Sequence, residues 1–247
     1  GCVVLYYGSS TAPIYSGHYK NLKLSRSVSS SSLTVENTTT IEQAISITAD
    51  AQLYKGRVEA LEDAIFATTA TNGTIKFEGE VIAKNGAIHK NITITKGAVS
   101  AKEKITANKL DVAGKSFVAE KEIELAFNFE GKSENIETKT QVKAKNINIA
   151  TPCIEWVSAN NVIVEESISV DDGTDWKANS GNVLFKKDLT SSKLQQLAGK
   201  IVANGTGVQN IKAKQIKALE VVQTSNSSLL SLIPIPQTIE KITNLGT

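Results

Sequence analysis

The chain has 247 residues, enough for one elongated domain or two ordinary ones. Apolar residues make up 40% and aromatics only 5%, so the core must be built from Ile, Val, Leu and Ala, which suit narrow, layered β-structure. Lys and Arg number 27 against 25 Asp and Glu, interspersed, for a net charge of +2. That excludes the concentrated basic stripe of a nucleic-acid groove and any polybasic segment for anionic lipid.

No apolar run approaches the roughly eighteen residues of a membrane-spanning helix. Met is absent, which predicts a processed chain whose targeting segment has been removed. Residues 1–40 read as a solvated tether: they hold Gly8-Ser9-Ser10, Pro13 and a serine run from Ser27 to Ser32 broken only by Val28. Within them, Val3-Val4-Leu5-Tyr6-Tyr7 is apolar and reads as an added strand or as a patch near a membrane surface. Gly1-Cys2 before this Ser/Thr/Tyr-rich stretch resembles the start of a mature bacterial lipoprotein. The resemblance implies acylation of Cys2, a membrane partner reached through that lipid, and an outer-membrane or cell-surface location. The other cysteine, Cys153, lies beside Ile154 and Trp156, which favours a buried free thiol over a disulfide to Cys2.

The first solenoid coils, or a cap, are expected from residue 41, where Ile41, Ala44, Ile45 and Ile47 are apolar. Between residues 80 and 165 the chain repeats. Ala83, Ala101 and Ala119, in the similar segments Val81-Ile82-Ala83-Lys84, Val99-Ser100-Ala101-Lys102 and Val118-Ala119-Glu120-Lys121, are eighteen apart, as are Ala107 and Leu125, with Ala144 nineteen further on. Gly97, Gly114 and Gly131 fall between the units at spacings of seventeen. Ile92/Ile94, Leu110/Val112 and Ile147/Ile149 alternate with polar residues, the period of a strand with one buried face. Such short strands without Asn-Gly hairpin signals predict a parallel β-solenoid over residues 41–170. Asn108, Asn146 and Asn160 are expected at its turns in left-handed conformation.

The motif Ile/Val-x-Ala-x-x-Ile/Val-x-Val/Ile with intervening Gly, over about residues 75–170, resembles the polymer-forming β-solenoid of bactofilins and implies self-assembly. A rival fold is the antiparallel β-jellyroll of periplasmic lipopolysaccharide carriers, which Ala49-Asp50-Ala51-Gln52-Leu53-Tyr54 and Gly79-Glu80-Val81 mildly resemble.

Residues 171–247 are expected to form a loop, a short helix and a cap. Asp171-Asp172-Gly173-Thr174-Asp175-Trp176 reads as the loop. Leu194, Leu197, Ala198 and Ile201 share a helical face over residues 189–203, with Ser191 or Ser192 as cap. Residues 229–242, with Pro234 and Pro236, are expected to lie across the solenoid end or at an oligomer contact.

No catalytic set emerges. Gly114-Lys115-Ser116 lacks the glycine that a phosphate loop needs at position 109, so it reads as a turn. Asp171, Asp172 and Asp175 offer hard-cation chemistry but lack the alternation and closing Glu of a calcium loop. His18 and His89 stand apart from each other and from cysteine, so no zinc site is expected. Glu120, Glu122 and Glu124 would share a strand face, as in solenoid polysaccharide lyases and hydrolases. Lys102, Lys104 and Lys121 interleave with them, which favours a salt-bridged outer face. Sequons begin at Asn37, Asn72, Asn91, Asn204 and Asn226 and matter only in a eukaryotic secreted protein.

The expectation is therefore a non-enzymatic protein without cofactor or metal, lipid-anchored in a bacterial envelope, whose solenoid is a scaffold or an adhesion surface. Its partners would be other envelope proteins or surface glycans, not nucleic acid. A self-assembling homo-oligomer and a polysaccharide-binding or polysaccharide-cleaving β-helix are the alternatives.

Overall fold

The computed structural model describes residues 3–6, 11–224, 228–232 and 237–244. They divide into two compact units, Gly1–Ala126 and Phe127–Thr247. Each unit is a parallel β-solenoid, and no helix occurs among the described residues. Each coil places one strand in each of three stacks.

In the first unit one stack runs through Asn21–Leu24, Thr39–Ile41, Val58–Ala60, Val81–Asn85, Ile105–Ala107 and Ile123–Leu125. The second takes the first half of Val28–Val35 and of Ile45–Tyr54, then Ala64–Ala67, Ile92–Thr95 and Leu110–Ala113. The third takes the second halves of those two long strands, then Thr74–Phe77, Ala98–Ala101 and Ser116–Ala119. Among the described residues the one antiparallel pairing is the small hairpin of Val81–Asn85 with Ile88–His89. This parallel ladder overturns the jellyroll.

Period-two alternation explains the strands. In Leu110–Ala113, Leu110 and Val112 point inward and are buried, while Asp111 and Ala113 point out. The interior is layered like on like. Tyr54 and Phe77 stack at 5.2 Å, and Phe66 meets both edge-on. The Tyr54 hydroxyl donates to Gln52 Oε1 at 2.8 Å, and Gln52 Nε2 donates to the carbonyls of Ala67 and Ala49. Burial pushes the Tyr54 phenol far above its usual range.

In the second unit Trp156 and Trp176 lie directly above one another, fully buried, rings 4.5 Å apart and nearly parallel. Each indole nitrogen finds a hydroxyl on the preceding coil, Trp156 with Thr138 and Trp176 with Ser158.

The eighteen-residue repeat holds only in part. Ala101 stacks on Ala119, and Ala107 on Leu125. Ala83 pairs with Ala60 in a different stack, because the hairpin lengthens its coil: Phe66 pairs with Ile94, twenty-eight residues on. Gly97 and Gly114 share a corner, where a Cβ on Gly114 would lie 2.6 Å from the Gly97 carbonyl oxygen. Gly131 instead lies inside a strand, facing Ile136 and Ile149. The corner asparagines are not left-handed; among the described non-glycine residues only Lys96 has positive φ. Their side chains bridge backbone and neighbours instead. Asn108 donates to Asn91, Asn146 accepts from the Ser167 amide, and Asn160 accepts from the Asn161 amide.

The flanks are corrected too. The tether expected over residues 1–40 is folded from residue 12 onward into strands, with Leu22, Leu24, Val28, Leu33 and Val35 buried. A serine-rich outer face of a strand and a solvated linker have the same composition. Val3–Tyr6 is an added strand, parallel to Asn21–Leu24. The loop expected at Asp171–Trp176 is a corner within the strand Ile168–Ala178, with Gly173 at φ +93° and a register shift between Val170 and Asp175.

The helix expected over residues 189–203 is two strands, Asp188–Gln196 and Ile201–Ala203, and Leu197 is exposed. Leu189 and Leu194 pair with Ile168 and Trp176 on one side and with Ile211 and Ile216 on the other. Ladders on both sides satisfy the backbone and override a helical spacing. In the expected cap, Ser228–Leu232 and Gln237–Asn244 continue the parallel stack. Pro234 and Pro236 lie outside the described residues.

Two stability effects follow. Trp176→Ala, which empties a fully buried layer, is expected to cost about 3–5 kcal/mol in urea unfolding. Gly114→Val is expected to cost about 1–3 kcal/mol by the same measurement, because its Cβ meets backbone that cannot move aside.

Candidate interaction face

Most outer faces of the two units are polar. In the short-strand stack of the first unit the outward column reads Lys23, Thr40, Glu59, Ile82, Thr106, Glu124. One stack of the second unit breaks the rule. Its strands Val162–Val164, Val183–Phe185 and Ile201–Ala203 are apolar at all three positions, and Val221 and Val222 follow in the next coil.

Inward, Val162, Val164, Val183, Phe185, Ile201, Ala203 and Val221 fill the core. The register then forces Ile163, Leu184, Val202 and Val222 into one outward column. The first three are half-buried by their neighbours; Val222 is 5% exposed. An unbroken apolar run is the pattern of a strand covered on both faces. Lys143 precedes this column and Thr243 follows it.

Polar rows border the column. On one side stand Asn161, Asn182, Lys200 and Glu220. The Asn161 and Asn182 side chains accept from the backbone amides of the next coil at 2.7 and 2.9 Å, so this row is locked to the frame. Glu220 accepts from Thr243 at 2.6 Å and pairs with Lys200 at 3.1 Å and Lys241 at 3.4 Å. On the other side Glu165 pairs with Lys186, and Asn204 and Thr224 follow. The border charges are thus balanced along each row. The sequence signal, unbroken apolar triplets in successive coils, is present but carries meaning only once the register is known.

The residues singled out from sequence do not come together. Cys2 lies outside the described residues. Cys153 is a buried free thiol, pushed up to about 11 by burial. Gly114 and Lys115 form a bend, with the Lys115 amide on the Gly97 carbonyl.

Lys104 bridges Glu122 and Glu124, so those carboxylates belong to an ion-paired outer face. A second charge ladder follows the register through Glu36, Lys55, Glu78 and Lys102, with ion pairs Glu36–Lys55 and Glu78–Lys102. Lys55 and then His18 hold the Glu36 carboxyl below its usual range; Lys102 does the same for Glu78. His89 lies in the hairpin. Asp175 pairs with Lys193, and Asp171 accepts from the Thr151 amide. Among the described residues no three His, Cys, Asp or Glu side chains are grouped to hold a metal ion.

Compared with family models, with curated proteins and with solved structures, the chain has no match.

Glu220 provides a test of this frame. Thr243 first, and then Lys200, lower its carboxyl from 4.5 to about 2. A depressed carboxyl stabilises the fold above its unfolded pKa, and that stability is lost as pH falls through the folded value. The difference in melting temperature between wild type and Glu220→Gln is therefore expected to be present at neutral pH. It should shrink below about 4.5 and vanish near 2, measured by thermal melts across that range.

Proposed function

We propose that this protein is a non-enzymatic, lipid-anchored component of a bacterial cell envelope whose solenoid is a scaffold with one interaction face. The observation that carries the reading is the aliphatic column of Ile163, Leu184 and Val202, three successive half-buried outward positions set among mostly polar outer faces. Elsewhere the outer charges are spent on one another, coil to coil, which suits a rigid support.

The anchor in this reading is an acyl chain on Cys2, on the strength of the lipoprotein-like start Gly1-Cys2. One chain gives reversible membrane binding and two give stable anchoring, because each buried methylene contributes about 0.8 kcal/mol. The bactofilin-like coil motif supports the alternative of a self-assembling structural solenoid.

Expression of the chain behind a lipoprotein signal in a bacterial host, with a labelled fatty acid, tests the anchor. Wild type is expected to take up label and sediment with membranes; Cys2→Ala is expected to do neither. A Cys2→Ala protein that fractionates as wild type would sink the anchored reading.

A further inference from the structure

We propose that Asn85, on the hairpin of the first unit, is a site of spontaneous deamidation, and that the solenoid corners protect the chain's other Asn-Gly pairs from it.

An asparagine is deamidated by the backbone nitrogen of the residue that follows it. That nitrogen gives up its proton and bonds to the asparagine Cγ. The bond from Cγ to Nδ2 breaks, and ammonia leaves with the proton. The cyclic imide so formed takes up one water and opens to aspartate or to isoaspartate. Glycine in the following position has no side chain to crowd the attack. The backbone must also rotate out of its folded conformation, so a segment that opens locally reacts and a clamped one does not.

Asn-Gly occurs at three isolated places, residues 72–73, 85–86 and 204–205. Two of them are clamped at corners by the next coil. The Gly73 amide donates to the Ala70 carbonyl at 3.1 Å, and the Gly73 carbonyl accepts from the Ala98 amide at 2.8 Å. A Cβ on Gly73 would lie 2.5 Å from Thr68 Cβ. Gly205 is buried, and a Cβ there would lie 1.9 Å from the Lys186 carbonyl oxygen. The Asn204 amide donates to the Phe185 carbonyl at 3.0 Å, and its Oδ1 is shut off from solvent.

The third pair has no such clamp. Asn85 pairs with Ile88 and Lys84 with His89, so Gly86-Ala87 is a two-residue turn. Gly86 has φ +58° and Ala87 does not have positive φ, which is the type II′ hairpin. Residues 84–88 are all exposed, and nothing lies within 4 Å of where a Cβ on Gly86 would stand. Ladder pairing to the neighbouring coils ends at Ala83 and resumes at Ile92. Opening the hairpin therefore breaks its own two rungs and leaves the three stacks intact.

The product changes the hairpin and spares the fold. Aspartate adds a negative charge next to Lys84. Isoaspartate routes the main chain through Cβ, which adds an atom to a tight turn and disturbs the pairing of Asn85 with Ile88. The coils on either side keep every ladder contact, so the melting temperature is expected to stay where it was.

The test ages the full chain in neutral buffer at body temperature, digests it in acid and maps the peptides by mass spectrometry. Each conversion reads as a gain of one mass unit, and isoaspartate is counted by enzymatic methylation. In the folded chain Asn85 is expected to convert about tenfold faster than Asn72 or Asn204, the ratio given by an opening cost about 1.4 kcal/mol lower. In urea the three rates are expected to converge. Asn85→Gln is expected to keep its ion-exchange profile on ageing, because attack there would need a larger ring. Asn85→Asp is expected to melt with the wild type.

Equal rates at the three sites in the folded chain overturn the proposal, as does faster conversion at Asn72 or Asn204. If the folded ranking persists in urea, local sequence sets the rates and the structural account fails. A lower melting temperature for Asn85→Asp would show that the coils depend on the hairpin, and the sparing of the fold would be lost.

Discussion

Among the described residues, most strands borrow their backbone partners from the coil before and the coil after. A three-residue strand such as Val183–Phe185 cannot stand alone: it has no hairpin partner, and its amides and carbonyls are met only by Val162–Val164 on one side and Ile201–Ala203 on the other. The parallel ladder is thus a constraint as well as a source of stability. It sets the spacing between coils, requires that like positions stack, and leaves the chain free to vary only at the corners and on the outward positions.

Much of the chemistry in the chain serves that constraint. Inside, Trp156 stacks on Trp176, and Tyr54 on Phe77, because register leaves no other place for a large ring. Buried polar groups appear where the backbone needs them. Gln52 turns its amide onto the Ala49 and Ala67 carbonyls, and Gln196 onto those of Gly181 and Ala198. At the corners glycine carbonyls sit where a Cβ would have been, as at Gly97 and Gly114. Outside, alternating charges such as Glu36, Lys55, Glu78 and Lys102 favour the native order of coils, since a one-coil slip would set like charges together.

Against that background the aliphatic column of the second unit is the exception. The Ile163, Leu184 and Val202 side chains stand outside the core, which the inward residues of the same strands fill. A solenoid with no need of a second covered face would carry Thr, Lys or Glu there, as the short-strand stack of the first unit mostly does. Interaction, not stability, is the economical account of it.

The sequence by itself determined that the chain is β, that its strands are short and half-buried, and that they stack in coils of roughly eighteen residues. Period two in pairs such as Leu110/Val112, the scarcity of hairpin turns, and spacings such as Ala101 to Ala119 were enough, because these are local properties of a strand. The tertiary structure alone decided which coils are in register. A hairpin at residues 84–89 moves Ala83 out of the stack its motif suggested. The ladder also turned the serine-rich stretch before residue 40 and the helix-spaced residues 189–203 into strands, since neighbours on both sides outweigh local preference. The face of Ile163, Leu184 and Val202 belongs to the same class. Three apolar residues about twenty positions apart become one surface only when the register places them side by side.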